Sequence, residues 1–415
     1  MAFFFFPLTF HIGPQTPQRR DARVEMRLAG GPGGEPTIVS IVGVVLFPFI
    51  STVDAARGLR LTCRELKQAV ADFPWEDMET AIKGSIALWR ACFPRAKGAN
   101  VRQREGDERR KNPNGRRTPV VDADFVHFVG LRALNMSWCR QVTDAAFVHL
   151  KGIQELDMSE CAQATITDAA FEHLKGIQEL NIRRCNQNTI TDAAFEHLKG
   201  IQELDMSCCW QVTDAAFQHL KGIKELNMSN CRQATITDAA FVHLAGIKVL
   251  HMSDCDQATI TDAAFEHLKG IQVLNMSWCR QNTITDAAFE HLKGIQELKM
   301  SGCCQNTITD AAFEHLKGIQ ELDMSCCDQA TITDAAFEHL KGIQKLNMSW
   351  CRQNTITDAA FEHLKGIQEL NMSRCDQVTI TDAAFQHLKG IKWVLMLQCR
   401  DVCIQAAKNA GLSAY

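Results

Sequence analysis

From Val121 to Cys399 apolar residues return at one fixed set of spacings. Between Leu174 and Ile190 they stand at Leu174, Ile177, Leu180, Ile182, Cys185 and Ile190. The centre of the pattern alternates, with Leu180 and Ile182 apolar and Glu179, Asn181 and Arg183 polar, which is the period of a short strand with one buried face. The stretch Thr167 to Leu174 reads instead as a two-turn helix: Phe171 and Leu174, three apart, share a buried face, while Glu172, His173 and Lys175 fall toward solvent. Thr167 is the predicted N-cap, Asp168 in the first turn complements the helix dipole, and Gly176 ends the helix.

The unit repeats every 24 residues, with two units of 22, so that its aspartates fall at Asp122, Asp144, Asp168, Asp192, Asp214, Asp238, Asp262, Asp286, Asp310, Asp334, Asp358 and Asp382. The predicted fold is α/β: a solenoid of about twelve turns, a right-handed horseshoe of parallel strands and short helices, behind a small all-α N-terminal domain. At about 4.8 Å per turn the strand face is roughly 55 Å long, concave, with the wider helices on the convex side.

Composition divides the chain. Residues 1–119 carry 19 Lys/Arg against 12 Asp/Glu and all ten prolines, whereas the repeats carry 25 against 36 and no proline. An acidic array argues against nucleic-acid binding, which needs Lys and Arg to neutralise phosphates, and leans toward basic or neutral protein partners. The expected organisation is 1–37 disordered or weakly ordered, 38–92 helical, 93–119 a cap strand followed by a charged linker loop, 120–400 the solenoid, and 401–415 a C-terminal cap. Within 93–119, Ala99 and Val101 take the places of Leu and Met in a degenerate strand.

The apolar start MAFFFFPLTF lacks a basic leader region, and no apolar run is long enough to span a membrane. A monomeric intracellular protein, cytoplasmic or also nuclear, is the expectation. Twelve of the eighteen cysteines form one column, Cys139 to Cys399. Stacked cysteines point the same way and do not face each other as a disulfide requires, so free structural thiols are expected.

The pattern L-x-x-L-x-x-L-x-L-x-x-C with its Ile-Thr-Asp step resembles the leucine-rich repeat, specifically the cysteine-containing subclass. The resemblance implies a horseshoe that recognises proteins on its concave face and adjoining loops. The stretch LFPFISTVDAARGLRLTCRELKQAVADFPW resembles an F-box, with Asp54, Leu59, Leu61, Cys63, Arg64 and Leu66 in the characteristic places, although the opening Leu-Pro pair is missing and Leu66 stands where Trp is commoner. That resemblance implies a substrate receptor of a cullin-type ubiquitin ligase, with Leu46, Phe49, Ile50, Leu59, Leu61 and Leu66 meeting the adaptor. The alternative is a scaffold whose N-terminal helices only cap the first turn.

Comparison of the internal copies points to where recognition occurs. Variation concentrates beside the column cysteine: Trp138, Arg184, Asp254, Trp278, Trp350 and Arg374 precede it, and Trp210 follows it. Exposed Trp and Arg are the usual hot-spot residues, and neutral drift at tolerant loop positions is the alternative. On the strands, Glu155, Glu179, Glu203 and Glu225 form an acidic ladder that Val249, His251 and Val273 interrupt before Glu297 resumes it. This break, with Trp278, is the expected binding patch, and Lys299 and Lys345 are single cations placed to meet acidic groups of a partner. The once-per-turn histidines, flanked by Glu and Lys, do not assemble a tetrahedral metal set, and no catalytic group, metal site or cofactor motif is read anywhere. The last turn turns apolar at Trp393, Val394, Leu395, Met396 and Leu397, and residues 401–415 are expected to cover it.

Overall fold

The computed structural model describes residues 64–82, 84–103 and 118–412. Leu46, Phe49, Ile50, Leu59 and Leu61 lie outside them. Two short helices come first, α1 (Arg64–Asp72) and α2 (Ile86–Cys92), the second capped by Ser85, whose hydroxyl accepts from the Leu88 amide. Leu66, half-buried, lies on α1. Between the helices Trp75 is 2% exposed, donates its indole N–H to the Val70 carbonyl at 2.7 Å, and packs edge-on against Phe73 and Phe93. Trp89 reaches Phe128 of the first turn, ring centres 6.4 Å apart.

Thirteen three-residue strands follow: β1 (Gly98–Asn100), β2 (Ala133–Asn135), β3 (Glu155–Asp157), β4 (Glu179–Asn181), β5 (Glu203–Asp205), β6 (Glu225–Asn227) and β7 (Val249–His251). After them come β8 (Val273–Asn275), β9 (Glu297–Lys299), β10 (Glu321–Asp323), β11 (Lys345–Asn347), β12 (Glu369–Asn371) and β13 (Trp393–Leu395). They form one sheet in sequence order, each parallel to the next and in register, so that one repeat's Leu stacks on the next one's. The first edge of the sheet is closed by Trp75 to Ile82: Gly98 N–H donates to the Trp75 carbonyl and Ile82 N–H to that of Asn100, each at 2.8 Å. Gly98 is required there, because a Cβ would stand 2.6 Å from the Glu76 carbonyl carbon.

Each turn encloses the same apolar set. Leu156, Met158, Cys161, Ile166, Phe171, Leu174 and Ile177 are at most 1% exposed, and burial of a large side chain of this kind contributes roughly 1.5–3 kcal/mol. The helical segment has the predicted extent, but only its first turn is α, at Asp168–Phe171, and the second tightens into a 3₁₀ turn at Glu172–Leu174. Gly176, at φ +87°, supplies the backbone that ends the helix and returns the chain to the strand. Thr167 caps it as expected, its hydroxyl accepting from the Ala169 amide at 3.2 Å.

Aspartate does more than complement the helix dipole. Asp168 accepts from both the backbone N–H and the hydroxyl of Thr191 in the next turn, each at 2.7 Å, and the same pair recurs as Asp286 with Thr309. The column cysteines are free and buried, and each thiol donates back to a carbonyl of the preceding turn, a methionine's in ten turns, as from Cys255 to Met228 at 3.2 Å, and those of Val101 and Ile182 for Cys139 and Cys209. Burial pushes the Cys161 and Cys231 thiols up to about 12, well out of reach of physiological pH.

At the far end a helix, Asp401–Asn409, packs on the last repeat helix and buries Ala407 and Leu412. It does not cover the altered strand. Trp393 and Leu397 remain 37% and 56% exposed, because the tail leaves on the helix side while these residues point from the strand side. Among the described residues no helix is long and apolar enough to cross a membrane.

Candidate recognition surface

Residues flanking the inward Leu of each strand face outward, and the register lines them into columns. Glu155, Glu179, Glu203 and Glu225 are consecutive partners, then Val249 and Val273, then Glu297 and Glu321. Like charges at strand spacing oppose one another. Burial, then Glu203 and Asp205, raise the Glu225 carboxyl above its ordinary range, and burial with Glu179, Asp157, Glu203 and Glu76 does the same to Glu155. The neighbouring column runs His251, Asn275, Lys299. Burial and then Lys299 lower the His251 imidazole, which favours its neutral form.

Val249, His251, Val273 and Lys299 are therefore brought together on three adjacent strands, with Asp254 and Trp278 at the strand exits of the same turns. Trp138, Arg184, Trp210, Trp350 and Arg374 belong to other turns. Lys299 pairs with Glu297 and Lys345 with Glu321, each at 2.7 Å, with both lysine side chains still partly exposed. Arg184 likewise pairs with Glu160 at 2.9 Å, and Asp254 with Arg232 at 2.6 Å. Trp138 is half-buried, whereas Trp210 is 57% exposed.

The residue preceding the column cysteine has an unexpected backbone. In eleven turns it is a non-glycine residue at φ between 56° and 65°, and only Gly302 occupies the position as glycine. The reason is a four-residue turn: Cys279 N–H donates to the Met276 carbonyl at 3.1 Å while Trp278 N–H donates to Ser301 of the next turn at 2.7 Å. The third residue of such a turn needs positive φ, the natural place for glycine or asparagine. A side chain there costs roughly 1–2 kcal/mol, yet Trp138, Trp278 and Trp350 are held in it. Arginines lie on their rings. Arg280 stands 4.4 Å from the Trp278 ring centre, and Trp350 has Arg352 at 4.8 Å and Arg374 at 4.2 Å. Cation–π contacts of this kind fix the ring plane.

Arg280, Arg352 and Gly302 stand in the variable columns of the sequence but not among the predicted binding residues, although an arginine two residues after a tryptophan was the available signal. Gly302 exists for Trp278, because a Cβ would meet the indole at 2.8 Å. A shallow hollow of about 230 Å³ lies over β9 to β13, lined by Glu297, Lys299, Asp323, Lys345, Asn371 and Trp393 among others. That is below the usual range for a small-molecule site. Among the described residues no group of three or more His, Cys, Asp or Glu is placed to hold a metal ion.

An open parallel sheet in sequence order, backed by one short helical turn per strand and closed at its first edge by Trp75 to Ile82, defines a leucine-rich-repeat solenoid. The chain belongs to the family described as BspA type leucine rich repeat region, which it matches in six copies over residues 140–272 and 258–392. Among curated proteins none matches it. Similar solved structures include the glycosylated Drosophila Toll–Spatzle complex (TM-score 0.54, 17% identity), matched over 73% of this chain and 44% of that one. An internalin from Listeria monocytogenes (TM-score 0.52, 17% identity) is matched over 69% and 81%, and the mouse RP105/MD-1 complex (0.51, 16%) over 78% and 56%. At such identities the likeness shows the fold alone. The chain spans less than half the length of the Toll–Spatzle chain it matches.

Proposed function

We propose that this chain is a non-enzymatic protein-recognition module whose strand face, centred on Val249, His251, Val273 and Trp278, holds a target protein. The observation that carries the proposal is the positive-φ column: turn after turn the fold accepts backbone strain where glycine is cheapest, and uses the position to present Trp, Arg and acidic side chains. Strain retained at a surface position is characteristic of functional sites. The Toll–Spatzle and RP105/MD-1 complexes show the same architecture in company with other proteins. The decisive measurement is affinity capture with the full chain, quantified by mass spectrometry, against a V249E/V273E/W278A variant and a helix-face control, His267→Ala. A target lost about tenfold or more, about 1.4 kcal/mol, only with the strand-face variant supports the assignment. Equal recovery by all three overturns it.

The more specific reading is a substrate receptor of a cullin-type ubiquitin ligase in the cytoplasm or nucleus, with residues 38–92 on the adaptor. The F-box-like sequence of that stretch supports it, while the plain scaffold reading draws on the closure of the first sheet edge by Trp75 to Ile82. Deleting the whole stretch would open that edge, so the discriminating variants are Leu46→Glu and Leu59→Glu, read by capture of the purified adaptor. Adaptor bound by the wild type and lost with both variants favours the ligase. No capture by the wild type leaves the scaffold.

A further inference from the structure

We infer that Cys304 and Cys326 form a reversible inter-turn disulfide site, oxidised by a low-molecular-weight disulfide of the glutathione class. The array holds three cysteines outside the buried column, Cys208, Cys304 and Cys326. Two of them meet across one turn boundary, where the Cys304 thiol lies 3.0 Å from the Cys326 carbonyl oxygen. This diagonal is used repeatedly. The residue after one column cysteine touches the residue before the next when Trp210 donates to the Asn230 carbonyl at 3.0 Å, Arg280 to that of Gly302 at 3.2 Å, and Arg232 to Asp254 at 2.6 Å.

The column cysteines stack in parallel, but the diagonal turns one short side chain toward the other turn. The contact places the Cys304 sulfur against the backbone of Cys326, and forming the bond requires the Cys326 side chain to take the χ1 rotamer that turns its sulfur toward Cys304. Both thiols are partly exposed, whereas the column thiols are sealed. The first thiolate attacks a glutathione disulfide sulfur, forming a protein–glutathione mixed disulfide and releasing one glutathione thiolate. The second thiolate then attacks the protein sulfur of that bond and releases the other glutathione. The two cysteines lose two electrons, the glutathione disulfide gains them, and the two thiol protons end on the two glutathione thiols.

The surroundings favour the thiols over the thiolates. Asp328 and Arg280 face Cys304; Asp323, Asp328, Arg280 and Arg352 face Cys326; and burial leads the causes that raise both. Reaction is accordingly slow at neutral pH and quickens about tenfold per pH unit until the thiols ionise. The test incubates the full chain with oxidised glutathione, blocks remaining thiols with N-ethylmaleimide, and maps the digest by mass spectrometry. The expected result is a linked Cys304–Cys326 peptide and two fewer maleimide labels than in the reduced protein. Cys326→Ser should leave Cys304 as a stable glutathione adduct, and Cys208→Ser should leave the link intact. Separate adducts on Cys304 and Cys326 in the wild type, two unmodified thiols, or links to other cysteines would each overturn the assignment.

Discussion

The cross-turn aspartate ties successive repeats together, and Asp286→Ala measures its contribution. The substitution removes the acceptor for two donors at once, the Thr309 backbone N–H and hydroxyl, both at 2.7 Å. It also loosens the cap below, since the Thr309 hydroxyl that Asp286 orients accepts from the Ala311 amide at 3.2 Å. Hydrogen bonds to a charged group contribute about 1.5–3 kcal/mol each, and a lost cap about 1 kcal/mol more. The bonded atoms are only part-buried, so water recovers some of this and the expected loss is about 2–4 kcal/mol. Asp286→Asn keeps one acceptor oxygen and turns an NH₂ toward the second donor, so it should cost less than alanine.

The assay is urea denaturation followed by far-UV circular dichroism, combined with hydrogen exchange of the amides of residues 309 to 313. Because each turn contacts only its neighbours, the exchange protection should fall locally on both sides of the junction. A change under about 0.5 kcal/mol with unaltered exchange at Thr309 would refute the reasoning and reduce the aspartate to a dipole complement.

Further outcomes follow from other sites. Glu225→Gln should stabilise the fold at neutral pH: the folded-state carboxyl is raised, so the folded protein holds its proton more tightly than the unfolded chain. Its cost is fully present above the folded value and vanishes as pH falls through that value toward the ordinary 4.5. Urea titrations of the variant and the wild type should therefore converge near and below that pH, and divergence there would contradict the like-charge account. Gly302→Ala should lose about 2 kcal/mol through positive φ and the clash with Trp278, with a shift in tryptophan emission as the ring leaves its place. Cys255→Ala should cost about 1–2 kcal/mol in the same urea assay by opening a small void and leaving the Met228 carbonyl without its thiol donor. In the wild type, Cys255 should alkylate only after unfolding.

Different layers of this molecule are written in the sequence with different clarity. The stack of Leu180, Ile182, Cys185 and Phe171 is legible because burial imposes a period and twelve copies average away exceptions. The bridge from Asp168 to Thr191 was not legible, because an aspartate at a helix start already has a local explanation and its true partner lies a whole turn away. The positive φ of the residue before each cysteine was hidden for a related reason. Trp, Arg, Asp and Cys stand where a turn of this kind would signal itself with glycine, so the position reads as a tolerant loop. For the recognition surface, the acidic ladder and its break at Val249 followed from period two. The pairing of Lys299 with Glu297 did not, because a strand pattern fixes which face a side chain takes and not what it touches there.

The identity of successive junctions has a consequence for heredity and for folding. Excision of residues 287–310 would join Asp286 to Ala311 and restore the local sequence Thr-Ile-Thr-Asp-Ala-Ala-Phe, with Asp286 then meeting Thr333 as Asp310 now does. Copy number can therefore change by whole turns in one genetic event with the aspartate–threonine bridge kept, although this excision also removes Gly302 and sets Cys326 against Trp278, and the reach of the surface changes with it. The same interchangeability means that a folding chain could dock a turn against the wrong neighbour and still make the aspartate–threonine bridge. The unique ends, Trp75 to Ile82 at one and Asp401–Asn409 at the other, and singular junctions such as Trp278 on Gly302 distinguish the complete count from a miscounted one.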